Sequence, residues 1–238
     1  MKRFPIIIIL LWTNSLFSFA QNKGYVISGI IDNFCRPEIL RVKDGTPALL
    51  LFDDSEKKIE VPIKDGKFHI EGHVDDPTLC FFGVGGPGKY FILDNANYWV
   101  TLPFYQGKGA SGDHVMKNEI RITSDSDLFN TYMNWYDLDG YFYTELRICM
   151  RKAANCNPDS VDYYNNKCDS IKKEMDSVSL STARNHPNKY LLPFVLLKQF
   201  DFSYNRLWNE YETIPDAIKA TSIGRKVEKE LLEVKDRK

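Results

Sequence analysis

The chain has 238 residues, with 31 basic and 32 acidic side chains and a formal net charge of −1. This balance excludes the strongly basic surface typical of nucleic-acid-binding proteins, so nucleic acid is not an expected partner. The length suffices for one or two hydrophobic cores, and an aromatic content of 13% argues against intrinsic disorder.

Residues 1–20 have the three parts of a secretory signal peptide. Lys2 and Arg3 precede an apolar run over 5–12, and small residues at positions 18 and 20 predict cleavage after Ala20. A retained membrane anchor is the alternative. The polar residues at 13–15 disfavour it, because a spanning helix needs about 20 mostly apolar residues. We therefore expect a periplasmic or secreted protein with no transmembrane segment after signal cleavage.

Residues 21–123 are predicted to form a β-rich domain, because short apolar runs alternate with turn residues. In the run 67–74, Phe68, Ile70 and Val74 share one face, which predicts a half-buried antiparallel strand. The turn at 64–66 (Lys-Asp-Gly) is the best hairpin signal. The stretch 106–118 is expected to be a long exposed loop. The predicted strands are 25–31, 48–52, 58–63, 67–74, 79–82, 90–93, 98–102 and 119–123.

Residues 124–238 change to helical periodicity and are predicted to form a helical domain. Ser124 or Ser126 can cap a first helix to about Ala154, in which Asp139-Gly140 is a candidate kink. Asn157-Pro158 can open a second helix. The further predicted helices are 190–202, 204–210, 215–220 and 223–235. The predicted fold class is thus α+β, with an antiparallel β-sandwich or partly open barrel followed by a helical domain.

The β-rich half resembles a known family. The residues that carry the likeness are 25–32 (YVISGIID), 47–52 (PALLLF), 59–74, 91–94 and 99–101, and the most specific element is Asp65-Gly66-Lys67-Phe68 with Gly72. They are similar to the β-rich domain of unknown function at the N-terminus of secreted thioredoxin-like proteins of the TlpA/ResA and AhpC/TSA kind. The resemblance covers residues 24–123 well and 124–238 loosely.

In that family a helical segment and then a thioredoxin domain follow the β-rich domain. The present sequence ends at Lys238, where such a domain would begin, and it contains no Cys-x-x-Cys motif. The resemblance therefore implies an accessory portion, and it assigns no redox chemistry to these residues. We expect no cofactor.

Two patterns look like ligand sites and have simpler interpretations. The glycine-rich segment 83–90 approaches a phosphate-binding loop, but Tyr90 stands where a Ser or Thr is needed, so a hairpin is predicted. His69, Glu71 and His73 share a strand face, but the two histidines are about 13 Å apart along a straight strand. A solvated face is predicted there rather than a metal site, with His114 as the only further ligand considered.

The five cysteines are Cys35, Cys80, Cys149, Cys156 and Cys168. In an exported protein the last three can form a disulfide. A helix turn near Ala154 would allow the pair Cys149–Cys156, Cys156–Cys168 is about as plausible, and buried free thiols remain the alternative.

Aromatic residues crowd the first predicted helix, where most are expected in the core. Tyr141 and Tyr143 lie off the main stripe and are the candidate ligand-contact residues. No catalytic motif is found, and neither His114 nor His186 is placed with a nucleophile.

The leading hypothesis is an exported, non-enzymatic cell-envelope protein that binds an unknown protein or ligand. One alternative is an accessory protein of a thiol–disulfide pathway that docks to a thioredoxin-like partner. Another is a glycan-binding module.

Overall fold

The computed structural model describes residues 24–31, 42–53, 56–86, 88–102, 104–108, 114–118, 120–198 and 204–236. Within these residues ten strands precede six helices, which confirms the predicted order of β-rich and helical parts. The predicted signal peptide and Cys35 lie outside the described residues.

The strands form two four-stranded sheets and one hairpin. Sheet A has the order β10-β7-β1-β4, sheet B has the order β3-β2-β5-β6, and β8 pairs with β9. The strands are β1 (Tyr25–Ile30), β2 (Pro47–Phe52), β3 (Lys58–Pro62), β4 (Lys67–Gly72), β5 (Thr78–Val84), β6 (Gly88–Leu93), β7 (Asn97–Thr101), β8 (Phe104–Lys108), β9 (His114–Asn118) and β10 (Arg121–Ser124). The described strands form no closed barrel.

The inner faces of the two sheets pack against each other through aromatic side chains. Phe68 of sheet A stacks on Phe82 of sheet B, with ring centroids 5.3 Å apart. Phe91 of sheet B contacts Tyr98 of sheet A at 5.4 Å. The alternation predicted for 67–74 is confirmed, because Phe68 and Ile70 are buried and the intervening side chains are exposed. Period-2 burial thus leaves one face of sheet A open to solvent.

Two glycines allow this aromatic core to lie close to the backbone of sheet A. Gly29 is paired with Phe68, and Tyr25 is paired with Gly72. A Cβ at Gly29 would lie 1.9 Å from the Phe68 ring, and one at Gly72 would lie 2.4 Å from the Tyr25 hydroxyl. Each ring therefore occupies the space that a side chain on the paired residue would fill.

The helices are α1 (Asp127–Asn155), α2 (Pro158–Asn185), α3 (Leu191–Leu196), α4 (Tyr204–Glu212), α5 (Asp216–Lys219) and α6 (Ser222–Asp236). Of the two serines predicted as the cap of the first helix, Ser126 is the N-cap of α1. Pro158 is the first residue of α2, as predicted. Phe129 of α1 contacts both Phe91 and Tyr98, so the sheet core continues into the helices. One hydrophobic cluster extends from Tyr25 to Leu231 across the predicted domain boundary.

Three predictions about these elements need correction. The stretch 106–118 is not only a loop, because its two ends belong to the β8–β9 hairpin. The two strands of this hairpin satisfy each other's backbone hydrogen-bonding groups, so the hairpin can form without the alternation of apolar residues by which strands are predicted from sequence. The sheets are not wholly antiparallel, since β1 and β7 are parallel. The helix predicted over 190–202 ends at Leu196, and residues 199–203 lie outside the described part.

The turn at Asp65-Gly66 is confirmed, with a different role from the one predicted. Both residues have positive φ (50° and 70°), as a type I′ turn requires. Lys64 and Lys67 close it with two backbone hydrogen bonds of 2.9 Å. However, β3 belongs to sheet B and β4 to sheet A, so the turn carries the chain from one sheet to the other. Pro62 ends β3, where it has no N–H to extend a ladder.

Candidate ligand-binding face

The outer face of sheet A brings together side chains from four strands. The strand register places His69 beside Ser28, Ser28 beside Trp99, and Trp99 beside Thr123. These four residues form one row across the sheet, from β4 through β1 and β7 to β10. Directly paired residues on one face have Cβ atoms about 5 Å apart, so the row is a continuous surface of hydroxyl, imidazole and indole groups.

Trp99 is the central feature of this face. Its side chain is 50% exposed, although the neighbouring residues of β7, Tyr98 and Val100, are buried. Ile30, in the next row, is 55% exposed. A large aromatic ring in the middle of a solvent-facing sheet is informative, because most tryptophan surface in folded proteins is buried. Exposed apolar groups of this kind within a polar surround commonly mark binding sites.

A depression of about 730 Å³ lies along one side of Trp99. This volume is within the range of small-molecule binding sites. The corner between β3 and β4 forms one wall, and the outward side chains of β1 and β7 form the floor. The residues that line it are Ser28, Gly29, Ile30, Val61, Pro62, Lys64, Lys67, Phe68, His69, Trp99, Val100 and Thr101.

The charges of this face are separated along the strands. Lys64 and Lys67 line the depression, and Arg121 is paired with Thr101 at the same end of the sheet. No carboxylate belongs to the lining, as far as the described residues show. Glu71 and Asp125 lie toward the opposite end, beyond His69 and Trp99. The charged side chains among the residues that line the depression are therefore basic, which favours anionic groups there.

Ser28, His69 and Glu71 form a hydroxyl–imidazole–carboxylate series that sequence reasoning did not find. Ser28 Oγ lies 3.1 Å from His69 Nδ1, and His69 Nε2 lies 3.6 Å from Glu71 Oε2. The second distance exceeds a hydrogen bond. The side chains of His69 and Glu71 are more than half exposed, and β1 is paired on both sides, so its N–H groups are engaged in the ladders. The series therefore lacks the held imidazole and the free backbone donors of a catalytic triad.

The predicted solvated face at His69, Glu71 and His73 is consistent with this geometry. His73 lies beyond the end of β4, and its Nε2 is 3.7 Å from Asp75. Across the described part of the chain, no group of three or more His, Cys, Asp or Glu side chains could hold a metal ion. His114 lies in β9.

A second and larger depression, of about 1090 Å³, lies where sheet A meets the start of α1. Its central residue is Asp94, whose carboxylate accepts hydrogen bonds from the hydroxyls of Tyr98 and Ser126. Burial and the adjacent Asp94 charge raise the pKa of Tyr98. Asp125 accepts two hydrogen bonds from Asn97, which hold the pKa of that carboxyl below its usual value. Both carboxylates are thus engaged in contacts that join the β6–β7 turn and the start of β7 to the residues just before α1.

Asp139 and Lys198 are the most unusual ionisable pair of the helical part. Burial raises the pKa of Asp139 and lowers that of Lys198, and each charge opposes the shift of the other. The Lys198 ammonium lies over the rings of Tyr136 and Trp135, 3.9 and 5.6 Å from their centroids. Perturbed pairs occur in active sites and also in packed cores. The aromatic contacts of Lys198 favour a packing role.

The glycine-rich segment 83–90 belongs to the β5–β6 hairpin, as predicted. Gly83 and Gly88 are paired, and the segment after Lys89 continues as a strand, whereas a phosphate-binding loop is followed by a helix. His186 is buried at the end of α2, with Nε2 3.1 Å from Asp127 of α1. It therefore lies between the end of α2 and the start of α1, apart from the outer face of sheet A.

Tyr141 and Tyr143, the aromatic residues singled out from the sequence, lie on α1 and are 60% and 57% exposed. They are not part of the face around Trp99. Among the described residues, Cys149, Cys156 and Cys168 are free thiols. Because α1 continues to Asn155, Cys149 and Cys156 stand about 10 Å apart along the helix, which is too far for a disulfide. The Cys156 thiol instead contacts the carbonyl oxygen of Ala153 at 3.4 Å.

Comparisons of the chain with protein-family models, with curated proteins and with solved structures find no match. The resemblance of residues 24–123 to the β-rich domain of thioredoxin-like proteins therefore stays a prediction. Among the described helices, none is long and apolar enough to cross a membrane.

The row across sheet A could not be read from the sequence, because residues that are neighbours in the row are 24 to 71 positions apart along the chain. A local signal was nevertheless present. Trp99 follows Tyr98 and precedes Val100 in a period-2 strand, so if these two are buried the tryptophan must face solvent. The partners Ser28 and Thr123 could not be assigned without the strand order.

Proposed function

We propose that this chain is an exported binding module of the cell envelope, and that the outer face of sheet A binds an oligosaccharide that carries acidic groups. The observation that carries the proposal is the half-exposed indole of Trp99, set between polar side chains in the middle of an open sheet. We further propose that the two packed sheets form a β-sandwich, which would present this face as a rigid platform.

The chemistry of the face suits a sugar. A sugar ring has an apolar C–H surface that can lie on the flat indole, and hydroxyl groups around its edge that need hydrogen-bond partners. Ser28, Thr101 and Thr123 offer hydroxyls, and His69 offers an imidazole nitrogen. A depression of about 730 Å³ accommodates a short oligosaccharide.

The acidic character of the ligand is inferred from charge complementarity. Lys64 and Lys67 line the depression, and Arg121 lies at the same end of sheet A. Carboxylate or sulfate groups on the saccharide would form charge-assisted hydrogen bonds with these side chains. Such contacts are exposed to solvent, so binding should weaken as the salt concentration rises.

A non-enzymatic role is favoured by the arrangement of the nearest reactive groups. Ser28 and His69 are hydrogen-bonded, but the Glu71 carboxylate is beyond hydrogen-bonding distance and exposed. The export part of the proposal rests on the signal-peptide pattern of residues 1–20 and on the family resemblance.

A second candidate is an accessory role in a thiol–disulfide pathway, with docking to a thioredoxin-like protein. The observation that favours it is the packing of Cys149 and Cys168 in one small buried cluster between two helices. The two candidates use different parts of the molecule, so one protein preparation can test both.

The test of the sugar-binding face is isothermal titration calorimetry on the chain without residues 1–20. The probes are an oligogalacturonate hexamer, which is acidic, and cellohexaose, which is neutral. We expect binding of the acidic probe, stronger at low salt, and a loss of about tenfold or more in Trp99→Ala. An indole that covers about 55 Å² of a sugar's C–H surface contributes roughly 1.4 kcal/mol at about 25 cal/mol per Å², which corresponds to tenfold in affinity.

The matched control is the double variant Tyr141→Ala and Tyr143→Ala, which removes two equally exposed aromatic rings from α1. It should bind the probes as the unmodified protein does. If this variant loses binding and Trp99→Ala retains it, the ligand face lies on the helix, as the sequence alone indicated. Absence of binding to both probes and to a broad glycan array would refute the sugar-binding proposal.

A further inference from the structure

Helices α1 and α2 form an antiparallel arm, most of which extends beyond the main core. A 29-residue helix is about 44 Å long. The main hydrophobic cluster includes buried residues of α1 only as far as Trp135, and of α2 only from Leu180 onward. The outer parts of the two helices are therefore held mainly by each other.

The outer arm has a small cluster of its own, built around two cysteines. Its buried members are Leu146, Cys149 and Cys168, with Tyr164 and Ile171 packed against them. Cys149 is 3% exposed and Cys168 is 7% exposed. The Cys149 thiol contacts the carbonyl oxygen of Tyr164 at 3.3 Å, and Cys168 packs in the same buried cluster, where the Cys149 side chain helps to raise its pKa. The two cysteine side chains thus meet across the helix–helix contact.

A surface groove provides access to one of the two thiols. The groove has a volume of about 520 Å³ and is lined by Met150, Ala153, Ala154, Val161, Asn165, Cys168, Asp169 and Lys172. Cys168 belongs to this lining and Cys149 does not. Lys172, one helical turn after Cys168, favours the thiolate through its charge, although burial and the Cys149 contact raise the pKa of Cys168 overall.

We infer that Cys149 and Cys168 are a dithiol–disulfide pair that locks the outer arm when it is oxidised by an exchangeable disulfide. Neither pairing weighed from the sequence joins these two residues. The inference is independent of the sugar-binding face, and it makes the arm a substrate for thiol–disulfide exchange. Export would place the pair in an oxidising compartment, where such a bond persists.

The exchange proceeds in two balanced steps. The Cys168 thiolate attacks one sulfur of the oxidant's disulfide, forming a mixed disulfide and releasing the oxidant's other sulfur as a thiolate. Cys149, as the thiolate, then attacks Cys168 Sγ and expels the oxidant's remaining sulfur. Two electrons pass to the oxidant, and the two protons lost by the cysteines convert its sulfurs to thiols. Reduction by a dithiol reverses both steps.

The first experiment needs no variant. The reduced chain without residues 1–20 is incubated with oxidised glutathione, and free thiols are then alkylated under denaturing conditions. We expect the number of alkylated cysteines to fall by two, the mass of the unalkylated protein to fall by about two units, and peptide mapping to join Cys149 to Cys168. Alkylation of all five cysteines, a stable glutathione adduct without the internal link, or a link through Cys156 would overturn the inference.

The second experiment tests the mechanical consequence. Trypsin sites at Arg147, Arg151 and Lys167 lie on the outer arm. We expect cleavage there to be about tenfold slower in the oxidised than in the reduced protein, because the bond suppresses local opening. Cys156→Ser is the matched control and should keep this difference, while Cys149→Ala and Cys168→Ala should abolish it. Equal cleavage rates in the two redox states would overturn the locking role.

Discussion

Replacement of Ser126 by alanine tests the joint between the β6–β7 turn and helix α1. Ser126 Oγ accepts a hydrogen bond from the Phe129 N–H at 3.0 Å and donates one to Asp94 Oδ2 at 2.7 Å. The side chain is almost fully buried. Ser126→Ala therefore removes a helix N-cap and one of the donors to a partly buried carboxylate.

The expected loss of stability is the sum of these two effects. An N-cap contributes about 1 kcal/mol. A hydrogen bond to a charged group contributes about 1.5–3 kcal/mol, and the lower end applies because Asp94 keeps its bond from Tyr98. We therefore expect a loss of about 2–3 kcal/mol in the free energy of unfolding, which for a chain of this size lowers Tm by roughly 5–10 °C.

Urea unfolding followed by circular dichroism and tryptophan fluorescence measures this loss. Ser126→Thr keeps both hydrogen-bonding roles and should be close to the unmodified protein. Ser126→Asp keeps the cap but places a second carboxylate against Asp94, so it should be as destabilised as the alanine variant or more. Ser170→Ala, at an exposed position of α2, is the control and should be neutral or slightly stabilising. If Ser126→Ala lowers the free energy of unfolding by less than about 0.5 kcal/mol, the stabilising role of the two Ser126 hydrogen bonds is refuted.

Three further predictions concern buried polar groups. The Tyr190 hydroxyl donates to Asp76 at 2.8 Å, and burial followed by this bond raises its pKa to about 12. Tyr190→Phe should lower the free energy of unfolding by about 1 kcal/mol below pH 10. This difference should shrink as the pH rises from 10 toward 12, because the hydroxyl ionises more readily in the unfolded chain than in the folded protein. A difference in urea midpoints that does not change with pH would contradict the hydrogen bond between Tyr190 and Asp76. Arg184 donates two hydrogen bonds to the buried carboxylate of Glu210, so Arg184→Ala should lower the free energy of unfolding by about 3 kcal/mol because it leaves that charge unpaired. Glu210→Gln should cost less, and a larger loss in Glu210→Gln than in Arg184→Ala, measured by urea unfolding, would contradict this prediction. The Tyr25 hydroxyl is buried and has no hydrogen-bond partner among the described residues. Tyr25→Phe removes the cost of burying this unpaired group and should raise the free energy of unfolding by about 1 kcal/mol, whereas a lower urea midpoint would contradict this prediction.

Several elements could be predicted because their causes are local. The alternation around Phe68 and Ile70 indicates a half-buried strand from adjacent residues alone. The positive φ angles of Asp65-Gly66 and the start of α2 at Pro158 follow from the residue types at those positions. The Ser126 cap likewise acts within one helical turn.

The candidate face and the thiol pair could not be predicted, because each depends on contacts between distant parts of the chain. Trp99 lies beside Ser28 only because β1 and β7 run parallel as neighbours in sheet A, and nothing within either strand specifies that pairing. Cys168 meets Cys149 rather than Cys156 because α1 continues to Asn155 and α2 packs back along it. Residue periodicity determined which side of each strand or helix is apolar, whereas the order of strands and the alignment of helices were decided by how those apolar sides pack together.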